Sequence, residues 1–204
     1  MASDDSALVA ELKEKYPDVD RFLLEKWERI FTIFFDRNHS HLVDWSDFYL
    51  VVRKVRDIYG AESSQMGYAR KTMEALFNGL CAAADQNKDK MISLDEWITL
   101  LRTAYRETDK AIPKWFDDYQ HFMFKLFDVS ADGVLDLCEY TDGMASYGFT
   151  EKAAHDAFHA FALTDRGEEM KTIDPNRWKS YFTHLFFSTD KKHLGNHLFG
   201  LSIA

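Results

Sequence analysis

The chain has 204 residues, of which 46% are hydrophobic and 15% aromatic, and its formal net charge is −9. This length suits one compact domain, or two small domains that share an interface. The acidic balance excludes a basic surface that could displace counterions from nucleic acid, so we expect no nucleic-acid partner.

The composition and the first residues also indicate where the protein acts. The start Met1-Ala-Ser-Asp-Asp has no apolar run, so we expect no secretory signal, and no apolar stretch approaches the ~20 residues of a membrane helix. Cys81 and Cys138 are too few for a disulfide framework, which favours a reducing compartment. We therefore expect a cytoplasmic monomer without an integral membrane segment.

The first 35 residues predict an arm and an amphipathic helix. Residues 1–18 are polar and acidic, and a short amphipathic piece from Ser6 to Tyr16 predicts a helical arm, with a frayed terminus as the alternative. Between Val19 and Phe35 apolar residues recur every three or four positions, which predicts a helix with one wide apolar stripe. The stripe consists of Phe22, Leu23, Trp27, Ile30, Phe31 and Phe34.

Residues 36–47 match the twelve-residue calcium loop of an EF-hand. Such a loop surrounds the ion with oxygen atoms from positions 1, 3, 5, 7, 9 and 12, and position 6 makes a sharp turn. His41 replaces the usual glycine at position 6, at about 1 kcal/mol of strain, and Asp47 is one methylene shorter than the usual glutamate. Magnesium should therefore compete most easily here. The predicted ligands are Asp36, Asn38, Ser40, the carbonyl of Leu42 and Asp47, with Asp44 at position 9.

A second loop of the same kind spans residues 85–96. It follows a predicted helix from Phe48 to Tyr59, a break at 60–67 and a helix that ends near Ala84. Lys90 occupies the turn position, and another helix follows from Trp97 towards Arg106. The predicted ligands are Asp85, Asn87, Asp89, the carbonyl of Met91 and Glu96.

The third loop, residues 128–139, is the best match. A polar linker from Glu107 to Pro113 and a helix over 115–127 precede it. Gly133 occupies the turn position, where a positive φ favours glycine. Leu135 at position 8 should pair its backbone with a neighbouring loop. The predicted ligands are Asp128, Ser130, Asp132, the carbonyl of Val134 and Glu139, with Asp136 at position 9.

A fourth loop follows a predicted helix over 151–163, but its ligands are lost. Ile173 precedes an aromatic residue by five positions, as Leu135 does, and this spacing fixes the register. Counting back places Arg166 at position 1 and Arg177 at position 12. Two cations in place of carboxylates predict that this loop binds no calcium, although Ile173 can still pair with Leu135.

The carboxy-terminal segment, residues 193–204, is too apolar for a free end. Its glycines make it a poor helix, yet Leu194, Leu198, Phe199, Leu201 and Ile203 are apolar. We expect it to dock between the two halves of the molecule, with a disordered end as the alternative.

Other chemistry is weakly represented. His155 and His159, like His193 and His197, are spaced to share a zinc ion, but no third ligand stands nearby. Phe149 stands where a phosphate loop needs lysine. No nucleophile lies next to a base, so we expect no enzyme.

Together these patterns predict an all-α protein with four EF-hands in two pairs. Three ligand-bearing loops and one decayed copy between amphipathic helices are a specific signature. We expect an amino-terminal arm at 1–18, EF-hands 1 and 2 at 19–108, EF-hands 3 and 4 at 109–190, and a docking tail at 191–204. Three calcium ions should bind, and the fourth hand none.

The chain resembles the calexcitins and invertebrate sarcoplasmic calcium-binding proteins along nearly its whole length. The resemblance rests on Phe122-Met-Phe, on the segment from Phe127 to Gly133, on Tyr147-Gly, and on Gly195-Asn-His-Leu-Phe-Gly. It implies that the first three hands bind calcium and the fourth does not. It also implies either a calcium sensor that acts on a protein effector or a calcium and magnesium buffer without one. A luciferin-binding or photoprotein relative is a third alternative.

Overall fold

The computed structural model describes residues 2–107 and 113–200, and nearly all of these residues lie in helices or in the loops that join them. The all-α arrangement of EF-hands is confirmed. Two-residue strands are the only extended elements of the described residues. The elements in chain order are α1 (Ala2–Lys15), α2 (Arg21–Ile30), β1 (Leu42–Val43), α3 (Trp45–Tyr59), α4 (Ser64–Ala84), β2 (Ile92–Ser93), α5 (Leu94–Glu107), α6 (Lys114–Phe127), β3 (Leu135–Asp136), α7 (Leu137–Ser146), α8 (Glu151–Phe161), β4 (Thr172–Ile173) and α9 (Pro175–Phe187).

Two antiparallel ribbons join the loops in pairs. Val43 pairs with Ile92, and Leu135 pairs with Ile173. All four residues are buried, and the predicted pairing of Leu135 with Ile173 is confirmed. The first loop is thereby tied to the second, and the third to the fourth.

The helix predicted to run to Phe35 is not α-helical throughout. Its last turn, Phe31–Phe35, is a π-helix, in which the Asp36 N–H donates to the Phe31 carbonyl at 2.8 Å. The wider turn leaves Phe34 and Phe35 buried while the chain enters the first loop. A period of three or four residues does not distinguish these two helix types at the end of a stripe.

The predicted break at residues 60–67 is too long. The Ser63 hydroxyl accepts a hydrogen bond from the Met66 N–H at 3.1 Å and caps α4, which begins at Ser64 and includes Gly67. A serine cap outweighs the poor helix propensity of one glycine. The predicted linker falls mostly on residues 108–112, outside the described part of the chain.

The fourth loop is longer than predicted, and the placement of Arg166 at position 1 is wrong. α8 ends at Phe161 rather than Leu163, and Ala162 caps it as Asp128 caps α6. The loop therefore spans residues 162–177, against 128–139 in the third hand. Arg166 lies in the turn that the extra residues form, where the Thr164 N–H donates to the Glu168 carbonyl at 2.8 Å. The predicted register rests on the spacing from Ile173 to Trp178 and assumes a loop of twelve residues, so it does not include the extra turn that precedes β4.

Buried aromatic residues join the two halves of the molecule. The indole N–H of Trp27 donates to the Phe186 carbonyl at 2.7 Å, and the ring of Trp97 lies 6.3 Å from that of Phe186. Helices α4 and α6 also pack together, with the Tyr68 and Phe122 rings stacked at 5.8 Å. The division of the chain at residue 108 stays a prediction.

The carboxy-terminal segment lies against α8 and α9 as far as Gly200. Residues Leu194–His197 form one 3₁₀ turn, and the side chains of Leu198 and Phe199 that follow are buried. A Cβ at Gly195 would lie 2.6 Å from the Tyr181 carbonyl oxygen, so only glycine permits this close approach. Leu201 and Ile203, which the predicted docking also involves, lie outside the described residues.

Candidate metal centre

The three ligand-bearing loops share one hydrogen bond that closes the turn. In each loop the carboxylate at position 1 accepts from the N–H at position 6: Asp36 from His41 at 3.0 Å, Asp85 from Lys90 at 2.9 Å, and Asp128 from Gly133 at 3.2 Å. All three position-6 residues have positive φ, with 65° at His41, 62° at Lys90 and 85° at Gly133. The backbone thus takes the calcium-loop form even where the sequence does not supply glycine.

The third loop holds its acidic side chains ready for a cation. One carboxylate oxygen from each of Asp128, Asp132 and Glu139 lies within 4.8 Å of the other two. Asp128 Oδ1 is buried and accepts no hydrogen bond from the described residues. Glu139 is oriented by the N–H groups of Ser130 at 2.9 Å and Asp136 at 3.4 Å. Hard carboxylate oxygens at this separation suit calcium.

The second loop has the same backbone but does not bring its carboxylates as close together. Within the described residues, Asp85, Asp89 and Glu96 do not meet the 4.8 Å separation that the third loop satisfies. Glu96 Oε2 accepts from both the N–H and the hydroxyl of Ser93, at 3.0 and 2.8 Å. Burial opposes ionisation of Glu96, but these bonds and that from the Gln86 N–H hold its pKa below the ordinary value.

Ser93 stands at position 9 of the second loop and is not among the ligands predicted for it. Its hydroxyl also accepts from the Glu96 N–H at 3.3 Å, so the two residues form the reciprocal contacts of a capping box at the start of α5. The spacing of a serine followed three residues later by glutamate was the available signal.

In the first loop the closing carboxylate is buried. Asp47 is 1% exposed, and it accepts from the N–H of Asn38 at 3.0 Å and from that of Asp44 at 2.9 Å. Burial raises the pKa of Asp47 despite these bonds. The Ser40 hydroxyl donates to the Leu42 carbonyl at 2.8 Å, so the predicted ligands at positions 5 and 7 are bonded to each other.

The fourth loop carries a cation of its own. Arg177, the last residue of this loop, donates from Nη1 to the Leu163 carbonyl at 3.2 Å and to the Tyr181 hydroxyl at 3.0 Å. Asp174 is committed to capping α9, since it accepts from the N–H groups of Asn176 and Arg177. The guanidinium thus ties the two ends of the loop, which a metal ion does in a working EF-hand.

None of the helices in the described part of the chain combines the length and apolarity that a membrane span requires. Helix α4, the longest of the described helices, carries its charged residues at Arg70, Lys71 and Glu74.

Comparison with known proteins finds similarity along almost the whole chain. It is 58% identical to calexcitin-1 of Caenorhabditis elegans over 193 residues, which cover 95% of this chain and 93% of that protein. The fold matches a sarcoplasmic calcium-binding protein from amphioxus at a TM-score of 0.71 and 24% identity, covering 89% and 98% of the two chains. The photoprotein clytin matches at a TM-score of 0.65 and 14% identity, covering 91% and 96%. No protein-family profile matches the chain.

Proposed function

The chain belongs to the calexcitin family, and from that premise we propose that it is a calcium sensor that binds three ions through its first three EF-hands. Calcium binding through EF-hands follows from the family. The number of working sites and the role as a sensor are our proposals. We further propose that the protein is a cytoplasmic monomer, in line with its net charge of −9 and its two unpaired cysteines.

The observation that carries the proposal is the carboxylate cluster of the third loop. Three carboxylates with an oxygen each within 4.8 Å of the others repel unless a cation lies between them, and Asp128 Oδ1 is buried without a donor among the residues that the structure describes. The residues that would hold the ion there are Asp128, Ser130, Asp132, the carbonyl of Val134 and Glu139. Equivalent atoms would serve in the first loop (Asp36, Asn38, Ser40, Leu42, Asp47) and the second (Asp85, Asn87, Asp89, Met91, Glu96).

Calorimetric titration with single-site variants tests the stoichiometry. The native chain should bind three calcium ions, and Asp47→Asn, Glu96→Gln and Glu139→Gln should each remove one high-affinity ion. Asp174→Asn is the matched control, because asparagine caps a helix as well as aspartate does and the fourth loop supplies no ligand set. A fourth ion, or an ion lost in Asp174→Asn, would refute the assignment.

A buffer without an effector is the second candidate, and the placement of the methionines favours it. Met73, Met123 and Met144 are buried, whereas calcium sensors expose methionines in an adaptable groove when they open. Titrating calcium with and without millimolar magnesium, in the presence of a hydrophobic dye, separates the two. A sensor should bind dye when calcium fills the loops, and a buffer should not.

A chromophore-binding role finds less support in the packing of the core. The aromatic cavity lined by Phe34, Phe35, Phe48, Met73 and Tyr119 holds about 10 Å³, roughly one water molecule. Pockets for drug-sized ligands have volumes of about 300–1,000 Å³. A larger groove of about 400 Å³ between α6 and α9 is lined mainly by polar and charged side chains, unlike the mostly apolar pocket that a chromophore requires. The likeness to clytin is a likeness of fold.

A further inference from the structure

Helix α3, which leaves the first calcium loop, packs against α7, which leaves the third. The hydroxyl of Tyr59, at the end of α3, is buried. Burial raises the pKa of Tyr59, and the nearby carboxylates of Asp142 and Glu139 raise it further. Glu139 lies in the first turn of α7, so the first hand packs against the helix that carries the closing carboxylate of the third loop.

A second contact joins the same two hands at the other end of α7. Arg37 stands at position 2 of the first loop, between the ligands Asp36 and Asn38, and its guanidinium lies 5.5 Å from the ring centre of Tyr147. Tyr147 caps α7 at its carboxyl end. Arg37 Nη1 is buried and makes no hydrogen bond with the described residues. A guanidinium within about 6 Å of an aromatic ring centre is attracted by the negative face of the ring.

Tyr147 in turn touches the helices that enter both loops. Its ring lies 5.4 Å from that of Phe34 in the first hand and 6.4 Å from that of Phe127 in the third. Its hydroxyl lies 3.5 Å from that of Tyr119 on α6. The end of α7 is therefore clamped between the two hands, and a shift of either entering helix changes its packing.

We propose that the contact between Arg37 and Tyr147 couples the first calcium site to the third, so that filling the first loop raises the affinity of the third. This proposal rests on the proposed function of both loops. Arg37 is a positioning residue, because it touches Tyr147 and holds no ion. When Asp36 and Asn38 are drawn around an ion, the residue between them moves with them, and the guanidinium transmits that change to the end of α7. A coupling of this kind requires an element whose arrangement both sites bias, and α7 is that element.

The turn-closing hydrogen bonds provide a separate reporter for each loop. The N–H groups of His41, Lys90 and Gly133 each donate to the position-1 carboxylate of their own loop, so their NMR amide resonances should shift when that loop fills. Calcium titration of the ¹⁵N-labelled full chain thus yields the affinity of the third loop from Gly133 while His41 reports on the first.

The measurement is the ratio of third-loop affinities with the first loop working and with it disabled by Asp36→Asn. We expect about a fivefold ratio in the native chain, at the lower end of the range for coupled sites. In Arg37→Met the ratio should fall to about one. The double variant Arg37→Met/Asp36→Asn should have the same third-loop affinity as Asp36→Asn alone. A general loss of stability would lower both affinities and leave the ratio intact.

Matched variants separate the stacked contact from charge. Arg37→Lys keeps the charge without the planar group, and it should lower the ratio to about one, as should Tyr147→Leu. Tyr147→Phe keeps the ring and should keep the fivefold ratio. Arg53→Met removes a positive charge from the exposed face of α3 and should leave the ratio unchanged. A native ratio of one, or a fivefold ratio that survives Arg37→Met and Tyr147→Leu, would overturn the coupling. If the His41 amide resonance does not shift during the calcium titration, the first loop does not bind calcium. That result would refute the proposed function of the first loop rather than the coupling.

Discussion

Replacing Phe199 with alanine tests whether the carboxy-terminal segment is part of the folded core. The side chain is 2% exposed, and its ring lies 4.5 Å from that of Phe34 in the first hand and 5.9 Å from that of Phe182 in α9. Removing a buried phenylalanine costs about 3–5 kcal/mol. For a chain of this size each kcal/mol shifts the Tm by about 2–4 °C, so the variant should melt about 6–20 °C lower.

The assay is thermal unfolding followed by circular dichroism in a calcium chelator, repeated with calcium and with a hydrophobic dye. Phe199→Ala should also bind more dye, because the rings of Phe34 and Phe182 lose their cover. Tyr49→Ala is the control, since Tyr49 is 40% exposed and surface changes usually stay within about 0.5 kcal/mol. If Phe199→Ala melts within about 2 °C of the native chain, the segment does not contribute to the core and the reasoning is refuted.

Three further predictions concern single residues. His41→Gly should stabilise the calcium-free chain by about 1 kcal/mol, because φ is 65° there, while His41→Ala should not; equal melting of the two variants would contradict this. Asp47→Glu should raise the preference of the first loop for calcium over magnesium in competitive calorimetry, and an unchanged ratio would show that position 12 does not set it. Burial lowers the pKa of Lys26 from 10.5 to about 8, so between these pH values the unfolded chain binds more protons than the folded chain. The contribution of Lys26 to the free energy of unfolding therefore rises with pH across that window. Denaturant titration should show the stability of the native chain rising relative to Lys26→Met from pH 8 to 10; a flat difference would exclude this.

Lys26 also illustrates what a local pattern does not reveal. It lies on the apolar stripe of α2, yet its ammonium group is buried and donates to the carbonyls of His184 and Ser188 and to the side chain of Asn196. These partners stand more than 150 positions away in the sequence. A hydrophobicity period does not foresee a buried cation, because only the fold brings the end of α9 and the tail to α2.

The sequence by itself determined the four hands and the positions of the first three loops. It could do so because an EF-hand loop is a local structure: twelve consecutive residues carry the ligands, the turn and the capping of the following helix. The backbone of all three loops accordingly forms the same turn, including the two in which His41 and Lys90 stand in place of glycine. The residues proposed as ligands follow from this local pattern, and their binding of calcium stays a prediction.

Only the tertiary structure decided how the hands touch. The burial of Phe199 against Phe34 and the contact of Arg37 with Tyr147 depend on segments far apart in the chain. Their energy comes from packing between helices, which depends on the positions of all the helices at once, whereas the calcium loop depends on its own twelve residues.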